Sequence, residues 1–160
     1  MIFILKKLGK ESLMERLVMV DQRVVEERLQ KLEEYVKILR ELQKVAKSDF
    51  LSDPRIYGST ERFLQLAIEC VLDVGNHIIA SEGLQKPNEY KEIPLILASK
   101  EIIPEKFSDL MFNMAKFRNL LVHDYMKIDR EEVYRILHSH LDDFRAFAML
   151  IEKFLSKKKN

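Results

Sequence analysis

A single cysteine, Cys70, leaves no partner for an intrachain disulfide and no CxxC pair for a zinc site. Four glycines and four prolines are too few for the many tight turns of a β-sandwich or barrel. No apolar run approaches the ~18 residues that span a bilayer. The opening Met1-Ile2-Phe3-Ile4-Leu5 is too short for a signal sequence, and Lys6-Lys7 stands on the wrong side of it. These absences predict a cytoplasmic, reducing setting and no membrane partner. A charge of one sign is lacking too: 27 Lys+Arg against 26 Asp+Glu give +1. Residues 1–18 hold Lys6, Lys7, Lys10 and Arg16 against Glu11 and Glu15, a balance of +2, so residues 19–160 sum to −1. A chain that binds long nucleic acid over a broad surface is clearly basic. Any nucleic-acid chemistry here is therefore confined to a local cleft. What is present, 47% hydrophobic and 33% charged residues over 160, is the composition of one folded domain.

Helical periodicity fills the chain from Asp21, whose carboxylate can cap a first helix. Val25, Leu29, Leu32, Val36 and Leu39 alternate by four and three, predicting a helix to about Lys47. Asp53-Pro54 opens a second, with Asp as cap and Pro at the first helical position. From Phe63 to Ile79 its apolar residues cover almost the whole circumference, which predicts burial on more than one side and, in a small domain, against a partner subunit. Gly83 is a C-terminal stop. A short helix follows around Tyr90 to Ala98, with Pro94 tolerable only in its first turn. Pro104 starts another, striped by Phe107, Leu110, Met111, Met114 and Phe117. Asp129 and Glu132 form a capping-box variant. Beyond them Val133, Leu137, His140, Phe144, Phe147, Ile151 and Phe154 predict one closing helix. The expected fold is all-α, an up-and-down bundle of four long helices and one short one that dimerises. Residues 1–18 read as an extension or a mis-assigned start, 19–156 as the bundle and 157–160 as a basic frayed tail.

The chain has no Gly-rich phosphate loop, no GxSxG, no HExxH and no usable carboxylate pair, so neither a metal nor a cofactor is expected. Four histidines remain. His140 lies in the apolar seam and His138 on an exposed face. His77 follows Asn76 in the buried second helix, either a satisfied core histidine or an accessory site residue. His123 stands in richer company, Arg118-Asn119-Leu120-Leu121-Val122-His123-Asp124-Tyr125. On a straight helix, five residues put Arg118 and His123 about 140° apart and ~7.5 Å along the axis. They converge only if the helix breaks near Leu121 or if a second subunit supplies one of them. The plainer reading is an arginine capping the helix end beside a histidine held by a backbone carbonyl.

Arg118-x-x-x-x-His123-x-Tyr125 resembles the R-x4-H-x-Y motif of the HepT-like branch of the HEPN superfamily. Glu61 to Glu69 and Asp73 to Ile79 resemble that family's second helix, and Ile128 to Tyr134 with His140 to Asp143 its closing helix, over about residues 19–155. The resemblance implies a homodimer with both motifs facing a shared cleft. It implies an RNase toxin whose partner, an MntA-like nucleotidyltransferase antitoxin, attaches AMP to the motif tyrosine, here Tyr125.

These residues suit cleavage of RNA without a metal, in which a ribose 2′-OH attacks the adjacent phosphorus. His123 can serve as base or acid, and Arg118 as a planar fork for phosphate oxygens. Asn119 either orients His123 or caps the helix end. Tyr125 either contacts substrate or only presents its hydroxyl for modification. Asp124 starts the following turn. Two other readings use the same residues: a non-catalytic subunit that binds a nucleotide or docks the nucleotidyltransferase, and a purely structural dimeric bundle.

Overall fold

The computed structural model describes the backbone of residues 2–160 and, within the first helix, the side chains of Leu13 and of Gln22 onward. The chain is all-α: α1 (Ile2–Leu42), α2 (Lys47–Ser52), α3 (Pro54–Ser81), α4 (Glu92–Ser99), α5 (Glu105–His123), a single 3-10 turn (Tyr125–Lys127), α6 (Arg130–Ser139) and α7 (Leu141–Lys158). The boundary expected at residue 18 falls on side chains outside those described. Asp21 lies within α1 rather than ahead of it.

The terminators written in the sequence act as expected. The Asp53 carboxylate accepts the Arg55 amide at 2.9 Å, and Pro54 is the first residue of α3. Gly83 takes φ +66°, and the amides of Gly83 and Leu84 return to the carbonyls of Ala80 and Ile79. That closes α3 in a left-handed cap which a residue with Cβ would strain. Pro94 falls on the third residue of α4, where no intrahelical amide is lost. Asp129 caps α6 through the Glu131 amide at 2.9 Å. Glu132 does not complete a capping box, because its carboxylate bonds Arg135 one turn on.

Three further expectations are corrected. First, α1 stops at Leu42, and a turn leads into the short α2, which buries Phe50 edge-on against the Tyr134 ring at 5.3 Å between centroids. Second, the closing stripe is not one helix. His140 takes φ −122° and ψ 3°, and its Nδ1 lies 2.8 Å from the Asp143 carboxylate. The elbow sends α6 against α2 and α3, and α7 against α1 and α3. Third, α3 needs no partner subunit to cover its apolar circumference. It packs on α1, α2, α4, α5, α6 and α7 of its own chain. Leu64, Ala67, Val71, Leu72, Val74 and Ile79 are at most 1% exposed. At 28 residues α3 is also long and apolar enough to cross a membrane, although Glu69 and Asp73 interrupt its apolar run; in this bundle it is the central core helix. Gly75 lets α4 come close: a Cβ there would stand 2.6 Å from Ile93 Cγ2 and 3.2 Å from Leu97 Cδ1.

Candidate active site

The motif lies at the C-terminal end of α5. That helix runs unbroken to His123, where the Asp124 amide bonds the Leu120 carbonyl at 3.0 Å. Leu121 is buried, so the last turn is pinned to the core and does not break. Arg118 and His123 therefore stay about 140° apart on one helix. Within this chain the structure does not turn them toward one another.

Arg118 points back across the bundle. Its Nε donates to Glu69 Oε1 on α3 at 3.3 Å, and Nη2 lies 3.3 Å from the same oxygen. Glu69 Oε1 also accepts Gln65 Nε2 at 3.0 Å, and Nη1 of Arg118 donates to Asn119 Oδ1 at 3.3 Å. The guanidinium sits 4.8 Å over the Tyr90 ring, in the segment leading to α4. With only 15% of its side chain exposed, Arg118 is clamped on an edge and a face. It does not cap helix carbonyls, and Asn119 bonds the arginine.

His123, Asp124 and Tyr125 are exposed, Tyr125 to 67%. Asp124 starts the turn as expected: its carbonyl accepts the Lys127 amide at 2.8 Å, and Lys127 Nζ is 3.7 Å from its carboxylate. Tyr125 is the first residue of the 3-10 turn so formed. A groove of about 570 Å³ opens beside this end of α5, floored by Leu64, Ile68, Phe117 and Leu120 and edged by Lys127 and His140.

His77 is half-buried, two turns along α3 from Glu69 and so about 12 Å from it by helical rise. Asp73, between them, is exposed, with Arg28 at 3.8 Å. Burial pushes its carboxyl above the usual range, Arg28 and Arg118 pull it down, and Glu69 adds to the rise. Among the described residues no group of three or more His, Cys, Asp or Glu is arranged to hold a metal ion. Sequence reasoning missed Glu69 and Tyr90 as site residues. Glu69 has a faint signal, since Gln65, Glu69 and Asp73 recur every four residues in the otherwise apolar stretch 63–75. Tyr90 has none, standing 28 positions from Arg118.

The chain matches the family described as Ribonuclease HepT-like over residues 25–151. It belongs to that family. The HepT-like match takes in Arg118, Asn119, His123 and Tyr125, together with Glu69 and Tyr90. A protein of Shewanella oneidensis named mRNA nuclease HepT is 30% identical over 105 residues, 66% of this chain and 79% of that one. A protein of Aphanizomenon flos-aquae named tRNA nuclease HepT is 25% identical over 132 residues, 82% and 90% of the two chains. A solved Shewanella oneidensis HEPN toxin, tri-AMPylated and in complex with MNT antitoxin, is similar with a TM-score of 0.76 at 25% identity. That similarity covers 81% of this chain and 97% of the toxin. It is that toxin, similar in fold to this chain, which is bound to an antitoxin and carries AMP.

Proposed function

We propose that this chain is an endoribonuclease toxin that cuts RNA without a metal, and that Arg118 and His123 carry the reaction. One His123 takes the proton from a ribose 2′-OH as that oxygen bonds the adjacent phosphorus. Arg118 offers its remaining N–H groups to the charged phosphoryl oxygens, and the 5′-oxygen leaves with a proton from a second imidazole. The products are a 2′,3′-cyclic phosphate and a 5′-hydroxyl. The observation that carries this reading is a held arginine and an exposed histidine on one helix end, inside the HepT-like match.

A homodimer accounts for the second imidazole. The unbroken α5 keeps Arg118 and His123 on different faces, so a cleft shared by two copies is the way for both to meet one phosphate. The regulating partner is a nucleotidyltransferase that adds AMP to the exposed Tyr125 hydroxyl, as the AMPylated toxin complex suggests. The new phosphodiester charge would compete with RNA for the same cation. The pair works in the cytoplasm, where RNA and ATP both occur.

Cleavage of RNA by purified wild-type protein and by His123→Ala, at matched folding, tests the reading. General acid–base catalysis contributes about 10²–10⁴-fold, so the variant should be nearly inert. Equal cleavage by both would sink the assignment. One observation favours a second reading, a non-catalytic nucleotide-binding subunit: the Arg118 charge is already met by Glu69. Nucleotide binding with no cleavage by either protein would select it.

A further inference from the structure

Tyr90, like Tyr125, is an exposed large side chain that belongs to the site. Its ring is 41% exposed, and the Arg118 guanidinium covers it at 4.8 Å. The segment that carries it is tied down on both sides. The Asn88 amide bonds the Glu92 carboxylate at 2.6 Å, the Glu92 amide bonds the Glu89 carbonyl at 3.0 Å, and the Tyr90 carbonyl accepts the Ile93 amide at 3.2 Å. The backbone that carries the ring is thus held in the turn just ahead of α4. Arg118 has five N–H groups; one goes to Glu69, one to Asn119, and Nη2 faces Glu69. One N–H on each of Nη1 and Nη2 remains for the oxygens of one phosphate.

We propose that Tyr90 and Arg118 form one nucleotide subsite, in which Arg118 takes a backbone phosphate and the exposed part of the Tyr90 ring stacks on the neighbouring nucleobase of a single RNA strand. Every base has a π-face, so such a platform binds single strands with little sequence preference. A paired base inside an A-form helix cannot reach the ring, so the subsite selects unpaired RNA. Glu69 sets the height of the guanidinium over the ring. The subsite deepens the nuclease reading and rests on it for the identity of the strand.

The chain has no tryptophan, so Tyr90→Trp introduces a sole indole reporter. The His123→Ala background prevents turnover. A single-stranded RNA oligonucleotide should quench the indole emission saturably, and inorganic phosphate at the same phosphate concentration should not. In that background Tyr90→Ala should weaken binding of the oligonucleotide roughly 5- to 100-fold, with Tyr90→Phe close to the parent, since the ring and not the hydroxyl is used. Tyr90→Ala binding as tightly as the parent, no quenching by bound RNA, or equal quenching by inorganic phosphate and the oligonucleotide would each overturn the subsite. Wild-type cleavage measured alongside separates the two readings. Cleavage with no effect at Tyr90 refutes the subsite alone, and quenching without cleavage refutes the nuclease alone.

Discussion

Glu69 and Arg118 meet across the packing of α3 on α5, with Nε donating to Oε1 at 3.3 Å, so the candidate phosphate-binding cation is paired before any ligand arrives. Removing the carboxylate leaves a largely enclosed guanidinium with one anchor fewer. Glu69→Ala should cost about 1–3 kcal/mol in urea unfolding and lower RNA cleavage on the order of tenfold through lost orientation. Glu69→Gln keeps an acceptor oxygen and should recover most of both. A Glu69→Ala protein equal to wild type in stability and rate would show that the pair positions nothing.

The angle between Arg118 and His123 predicts complementation. Arg118→Ala and His123→Ala should each be inert alone. Unfolded together and refolded, they should regain weak cleavage: half the dimers are mixed, and each mixed dimer joins one intact Arg118 to one intact His123 but lacks the second imidazole, which costs about 10²–10⁴-fold. Silence from the mixture, with mixed dimers present by native mass spectrometry, would mean that each chain completes its own site.

Gly75 is a packing position. A methyl group there would meet Ile93 Cγ2 at 2.6 Å, well inside contact distance. Gly75→Ala should destabilise the bundle by about 1–3 kcal/mol. Ile93→Ala removes the opposing atom, so the double variant should lose less than the sum of the two single changes. Additive losses in chemical denaturation would place the strain elsewhere.

Cys70 gives the pH dependence. It is 5% exposed, and burial, aided by Asp73, pushes its thiol from 9.0 up to about 11. The native thiol should resist alkylation at pH 8 until the protein unfolds. Above the unfolded value the unfolded chain releases this proton while the native chain keeps it. The contribution to stability is therefore complete below about pH 9 and is lost as the pH rises toward 11. Cys70→Ala should flatten that part of the stability profile; an unchanged slope would assign it to other groups.

Much of the fold was legible because its punctuation is local. Asp53-Pro54, Gly83, Pro94 and Asp129 each act through bonds within a few residues, and each does what its chemistry predicts. The elbow at His140 was not legible, since the apolar stripe continues across it in step and only the backbone angles change. Nor does an apolar circumference say what covers it: α3 is surrounded by its own chain, a matter of tertiary arrangement. In the site, Arg118 and His123 were readable as a spaced pair. Glu69 and Tyr90 were not, because their meeting with Arg118 depends on how α3, α4 and α5 stack.

The elbow at His140 preserves phase rather than direction. Val133 and Leu137 before it and Phe144, Phe147 and Ile151 after it all reach the core, although α6 and α7 pack on different neighbours. That agreement depends on the number of residues through the corner. One residue inserted between Ser139 and His140 would rotate α7 by about 100° about its own axis. Its phenylalanines would turn toward water while α6 stayed in place. The corner is therefore a counted length, open to changes of residue type and closed to changes of register.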